Sequence, residues 1–131
     1  MIVLDTHAAV WWTADPKRLG KRASAAIADA DRLGVPTIVF WEVAMLVRKG
    51  RLRLDVDGTA GSARTWSDKL CSIPLVEPIA LTVELALLAD SLKMHADPAD
   101  RFIVASAVKL GCPLITRDKL IRPLGLVQTI W

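Results

Sequence analysis

The sequence predicts a three-layer α/β fold with a central parallel sheet flanked by helices, and three observations lead there. Short, continuous apolar runs recur at Ile2–Leu4, Val35–Val39, Pro74–Glu77 and Pro113–Thr116, the pattern of strands buried on both faces. Longer stretches with apolar residues at helical spacing lie between them, and alternating strands and helices favour parallel pairing. No repeat, linker or low-complexity segment breaks the 131 residues, so the chain reads as one domain over 1–131 with one core.

Ile2–Leu4 is a β-branched and apolar strand ending at Asp5. His7–Trp12 reads as a helix stopped by Asp15-Pro16. Alanine-rich Gly20–Asp31 reads as an exposed amphipathic helix that Gly34 ends. Val35–Val39 is the second strand, turning into a strongly apolar helix from Phe40 to Lys49 closed by Gly50. A helix is expected over Asp55–Leu70, after a loop at Asp57-Gly58, and Pro74–Glu77 is the third strand. Leu81–Leu92 is helical, with Leu81, Leu85 and Leu88 on one stripe. Pro98–Leu110 is a helix with Asp97 as its N-cap and Pro98 at its first position. Pro113–Thr116 is a strand, a helical turn follows from Arg117, and Leu126–Ile130 forms a final edge strand.

A composition of 53% hydrophobic and 24% charged residues excludes global disorder. The mean hydropathy of +0.37 is high for so small a chain and implies apolar surface covered by a partner. No uncharged apolar stretch reaches the length of a membrane span, and the start Met-Ile-Val-Leu-Asp lacks a basic leader, so a cytoplasmic protein is expected. Cys71 and Cys112 show no metal spacing and read as small buried hydrophobes. The net charge of +3 is clumped at Lys17, Arg18, Lys21 and Arg22, and at Arg48, Lys49, Arg51 and Arg53. Such runs read as solvated faces or as contacts to a polyanion.

Four acids share a placement. Asp5 ends the first strand, Glu42 lies early in the helix after the second, Asp100 is third in its helix, and Asp118 follows the fourth strand. In a parallel sheet those positions converge at the carboxyl edge, where open α/β sheets bind ligands. Asp5 and Asp118 also read as cap or turn residues, and Asp97 as an N-cap. Asp100 precedes Ile103, Ala107 and Leu110 on one helical stripe and therefore points inward. Crowded carboxylates repel, and a hard divalent cation relieves them; oxygen ligands without Cys or His favour Mg²⁺ or Mn²⁺. His7 and His95 read as helix-face or cap residues.

The segments Leu4-Asp5-Thr6-His7, Trp41-Glu42-Val43-Ala44, Asp97-Pro98-Ala99-Asp100-Arg101-Phe102-Ile103-Val104-Ala105-Ser106-Ala107 and Thr116-Arg117-Asp118 resemble the PIN-domain family, closest to the VapC-type toxins of type II toxin–antitoxin pairs. The resemblance implies a PIN-like fold and a Mg²⁺- or Mn²⁺-dependent endoribonuclease that cuts a structured RNA of the tRNA or rRNA class and inhibits translation. It implies Asp5, Glu42, Asp100 and Asp118 as catalytic metal ligands, with Asp97 as an additional acid and Thr6 and Thr116 lining the pocket. A homodimer or higher assembly and a cognate antitoxin are implied partners, with Trp11, Trp12, Trp41, Trp66 and Trp131 as core or interface residues. Water attack beside a cation predicts a 5′-phosphate product rather than a cyclic phosphate. Relatives often place Ser or Thr just before the helix bearing Glu42, whereas Val39 stands in this chain.

Two other functions share parts of this pattern. A DNA or flap nuclease of the same fold usually adds helices to grip duplex, for which 131 residues leave little room. A phosphoacceptor signalling domain needs paired acids after strand one and a central aspartate after strand three; Asp5 is single, and strand three ends at Glu77-Pro78.

Overall fold

In a computed structural model the chain is described at residues 1–56 and 59–131, so the expected loop at Asp57-Gly58 lies outside the described residues. The described elements are, in chain order, β1 (Ile2–Leu4), α1 (Thr6–Ala14), α2 (Lys21–Ala28), β2 (Leu33–Pro36), α3 (Thr37–Arg48), β3 (Leu54–Val56), β4 (Thr59–Gly61), α4 (Ala63–Cys71), β5 (Val76–Ile79), α5 (Val83–Ser91), α6 (Pro98–Leu110), β6 (Leu114–Ile115) and β7 (Thr129–Ile130), with 3₁₀ turns at Pro16–Arg18 and Arg122–Leu124. Five strands form one sheet in the order β5-β2-β1-β6-β7, every pairing parallel, and helices flank it. A separate antiparallel pair joins β3 to β4.

The central strands are apolar because both sheet faces are covered. Val3, Leu4, Leu33, Val35, Leu114 and Ile115 are all fully buried. They join α1, α3 and α6 in one core through Ala8, Val39, Val43, Ile103 and Val104. From β1 the chain builds outward through β2 to β5, then returns past β1 to lay down β6 and β7. That reversal puts a switch point, and hence a crevice, at the carboxyl end of β1.

Several expected boundaries move. Gly34 is in the middle of β2 and does not end a helix; a Cβ there would lie 2.7 Å from Ile79 Cδ1, so a larger residue would displace the Ile79 side chain. β2 ends at Pro36, and α3 starts at Thr37 with no side-chain cap. Instead of a helix from Asp55, the β3–β4 pair comes first and α4 begins after Ser62, whose hydroxyl accepts from Thr65 N. The alternation Leu52-Arg53-Leu54-Asp55-Val56 has the period of a strand, and that period decides the segment. Thr82 caps α5, leaving Leu81 outside the helix and exposed. α6 keeps its expected bounds, with Asp97 capping its start and Gly111 closing it at φ +61°.

Trp11 and Trp66 are buried, but Trp41 is 55% exposed. Cys71 is exposed and Cys112 half-buried, against the expectation of two buried thiols, because each lies at the last turn or just past the end of a helix rather than on its inner stripe. Among the described residues no helix is long and apolar enough to cross a membrane.

Candidate active site

Asp5 performs two local tasks. Its N–H donates to Ile115 O at 3.1 Å, extending the β1–β6 ladder, and its carboxylate caps α1 by accepting from Ala8 N at 2.6 Å. These bonds fix a carboxylate that is only 5% exposed at the sheet edge. Burial pushes its pKa from 3.8 up to about 6, and Asp100 and Asp118 add repulsion, against hydrogen bonds from the Thr116 hydroxyl and Ala8 N–H.

Glu42, in the second turn of α3, accepts a hydrogen bond from Thr6 Oγ1, the residue beside Asp5. Burial raises its pKa, and the charges of Asp100 and Asp97 raise it further while Thr6 and His7 oppose them. Asp100 is half-buried with His95 Nε2 2.6 Å from its Oδ2. Burial raises its pKa as well, with repulsion from Asp97 and Asp118, and the His95 hydrogen bond pulls the other way.

Asp97 is exposed and caps α6, its Oδ1 accepting from Asp100 N at 3.2 Å. The cap residue and the inward acid are thus separate side chains at one helix start. Asp118 donates from its N–H to Thr116 Oγ1 at 3.0 Å, and its Oδ1 accepts from Leu120 N at 2.6 Å. Thr116 is fully buried between Asp5 and Asp118 and bonds to both.

Asp5 therefore stands in the field of Asp100 and Asp118, Asp100 in that of Asp118, and Glu42 in that of Asp100, brought there by β1, α3, α6 and the segment after β6. The donor set suits a hard divalent cation: it is all oxygen, half-buried or buried, and electrostatically strained by its own charge. Among the described residues no three Asp, Glu, His or Cys side chains are placed to hold a metal ion together. Mg²⁺ keeps several waters and binds through one or two carboxylates, so it does not require three.

Of the predicted basic contacts, Lys17, Arg18, Lys21, Arg22, Arg48, Lys49, Arg51 and Arg53 are all exposed. Only Arg18 and Arg51 line the cleft that also contains Thr6. Two residues carry parts that sequence reasoning did not assign. His95 is no helix-face or cap residue, because it sits in the loop between α5 and α6 and pairs with Asp100. Arg101 gives all its reach to the backbone: Nε donates to Ala89 O, Nη1 to Met94 O and His95 O, and Nη2 to Asp90 O and Leu92 O, at 2.6–3.0 Å. It pins the loop bearing His95 to the helix bearing Asp100. An arginine beside Phe102 in a largely apolar helix was the available signal, but no periodicity specifies carbonyl partners.

Comparison with known proteins agrees with this architecture. The PIN domain matches residues 2–124. Ribonuclease VapC22 of Mycobacterium tuberculosis is 36% identical over 123 residues, covering 92% of this chain and 89% of that protein. Among solved structures, VapC20 of M. tuberculosis, described as a sarcin-ricin loop cleaving toxin, superposes with a TM-score of 0.68 at 18% identity over 100% of both chains. VapBC2 of Rickettsia felis, bound to a DNA fragment from its promoter, superposes with a TM-score of 0.65 at 15% identity, covering 98% of this chain and 97% of that one. With a family match over nearly its whole length and a relative 36% identical across most of it, this chain belongs to the PIN-domain family.

Proposed function

We propose that the chain acts as one domain over residues 1–131 and is a Mg²⁺- or Mn²⁺-dependent endoribonuclease, the toxin of a toxin–antitoxin pair, with a structured RNA as substrate. The observation that carries this reading is the placement of Asp5, Glu42, Asp100 and Asp118 with buried or half-buried carboxyls, Asp100 acting electrostatically on both Asp5 and Glu42 and Asp118 on Asp5 and Asp100. Such a cluster is expensive unless it holds a cation. The ribonuclease relative and the VapC structures support the same assignment.

Asp5 and Asp100 are the principal ligands in this proposal, Glu42 and Asp118 complete the site, and Asp97 contributes field from the rim. A divalent cation there supplies charge neutralisation at the scissile phosphodiester and acidifies water. Thr6 fixes the Glu42 carboxylate, Thr116 fixes Asp5 and the Asp118 backbone, and His95 orients Asp100. His95 also offers a proton acceptor within the cluster when neutral. An antitoxin and a second copy of the chain are the proposed protein partners, working in the cytoplasm. Exposed Trp41, Val83, Leu87 and Leu120 give such partners apolar surface to cover.

The test is incubation of purified, partner-free protein with total RNA and Mn²⁺, followed by sequencing of 5′-phosphate ends, beside EDTA and Asp5→Ala controls. Discrete cuts absent from both controls are expected. Folded protein that cuts only DNA, or leaves 2′,3′-cyclic phosphates, contradicts the proposal.

A further inference from the structure

We propose that a cleft beside the acids, walled by Arg18, Arg51 and Arg117 around Trp11, holds an RNA backbone phosphate next to the one being cut; this rests on the ribonuclease reading above. The cleft has a volume of about 250 Å³ and is also lined by Thr6 and His7. Thr6 donates to Glu42, so the cleft adjoins the acid cluster through this residue.

Its three arginines come from separate parts of the chain: the 3₁₀ turn at Pro16–Arg18, the segment after α3, and the loop after β6. Among the described residues none of the three is paired with a carboxylate. Arg32 pairs with Glu77, Arg64 with Asp68, and Arg101 is occupied by carbonyls; Arg22, Arg48 and Arg53 are, among the described residues, equally without a carboxylate but do not line this cleft. Gathering three unneutralised guanidinium groups in one cleft costs repulsion, which a bound anion removes.

Two of these groups are positioned, not loose. The Arg18 and Arg117 guanidinium carbons each lie 4.4 Å from the centroid of the Trp11 ring. That ring is 4% exposed and packs edge-on against Trp131 at 5.6 Å, so it is a rigid platform. Stacking fixes the plane of a guanidinium and leaves its N–H edge for a bidentate acceptor, which phosphate oxygens match. The positive rim continues into an adjoining cleft of about 540 Å³ that shares His7 and Arg117 and is also lined by Asp118, Lys119 and Arg122. A strand whose scissile phosphate sits at the acids thus meets a continuous run of cations beside them, as a polyanion approaching an acidic pocket requires.

The probe is a fluorescein-labelled oligouridylate, titrated by anisotropy in EDTA over a series of salt concentrations, so that nothing is cut. Each phosphate contact on a single strand contributes about 0.7 to the slope of log affinity against log salt. Arg18→Ala combined with Arg117→Ala is expected to weaken binding about tenfold at low salt and to lower the slope by about 1.4. Arg51→Ala, which disturbs no stacked ring, should lower it by about 0.7 with an unchanged melting curve, and it decides the matter if the double variant does not fold. Absence of wild-type binding at low salt, or unchanged slopes in folded variants, overturns the subsite. So does a polyglutamate peptide that outbinds the oligouridylate on the wild type and loses that affinity in Arg51→Ala, since the cleft would then dock an acidic protein segment. A parallel Mn²⁺ assay keeps the two readings apart: wild-type protein that cuts RNA with unchanged variant slopes loses only the subsite, whereas wild-type protein that cuts none loses the ribonuclease.

Discussion

Asp5 is at once a helix cap and a buried anion, and those tasks pull on its stability in opposite directions. Its carboxyl is raised from 3.8 to about 6, chiefly by burial. Between those values the folded chain holds a proton that the unfolded chain has released. Stability from this group therefore rises as pH falls through about 6 and levels off near 3.8. Above pH 6 its ionised form costs on the order of 3 kcal/mol. Asp5→Asn keeps a cap acceptor for Ala8 N but drops the charge. We expect that variant to melt on the order of 10 °C higher at neutral pH, to lose the gain near pH 4, and to cut no RNA. A lower melting temperature at neutral pH would mean that the carboxylate is not under repulsion. His95→Ala removes the hydrogen bond that opposes burial at Asp100, so the Asp100 pKa moves further up. The acid limb of the pH–rate profile for cutting should shift to higher pH; an unmoved limb would reduce His95 to packing. The sequence offered cap and metal-site roles for Asp5 and Asp118 as alternatives. In the structure the cap and turn bonds each use one carboxylate oxygen, Oδ1 in both residues, so the cap or turn role does not occupy the whole group.

At the scale of elements, the α5–α6 connection shows where sequence patterns stop. α6 was legible to the residue, because Asp97, Pro98 and Gly111 are chemical start and stop signals. The loop before it carries no such signals, and its shape is set by one side chain reaching five carbonyls. Lysine has no planar fork to replace that set. Arg101→Lys is expected to destabilise the chain by about 2–4 kcal/mol and to speed amide exchange most around 89–97. Cutting should fall with it, because His95 and Asp100 lose their relative placement. Uniform exchange across the chain would show that Arg101 acts globally instead. The misread segment from Asp55 has a similar cause: its strand alternation is short, and α4 follows closely enough to extend a helical reading backward.

At the scale of the whole molecule, the parallel sheet and its carboxyl edge were readable because doubly covered strands must be apolar and their crossovers must return to the same edge. What was not readable is how charge is partitioned over that edge. Among the eight basic residues singled out by clustering, only Arg18 and Arg51 border the cleft beside the acids, while Arg117 and Trp11 complete it from distant positions. A charge run reports local composition, and convergence is a property of the fold. Because contact to phosphates is electrostatic, the KM for RNA should rise steeply with salt while kcat changes little. Equal sensitivity of both would indicate that salt acts on the fold.

In the proposed enzyme four acids, distant in the chain, act as one cation site. Calorimetric titration of the partner-free protein with Mn²⁺ at neutral pH, beside Asp5→Asn and Asp100→Asn, tests this without any substrate. Saturable binding by the wild type that both single substitutions abolish or weaken by at least tenfold is the expected result. Equal Mn²⁺ affinity in all three proteins would contradict the shared site.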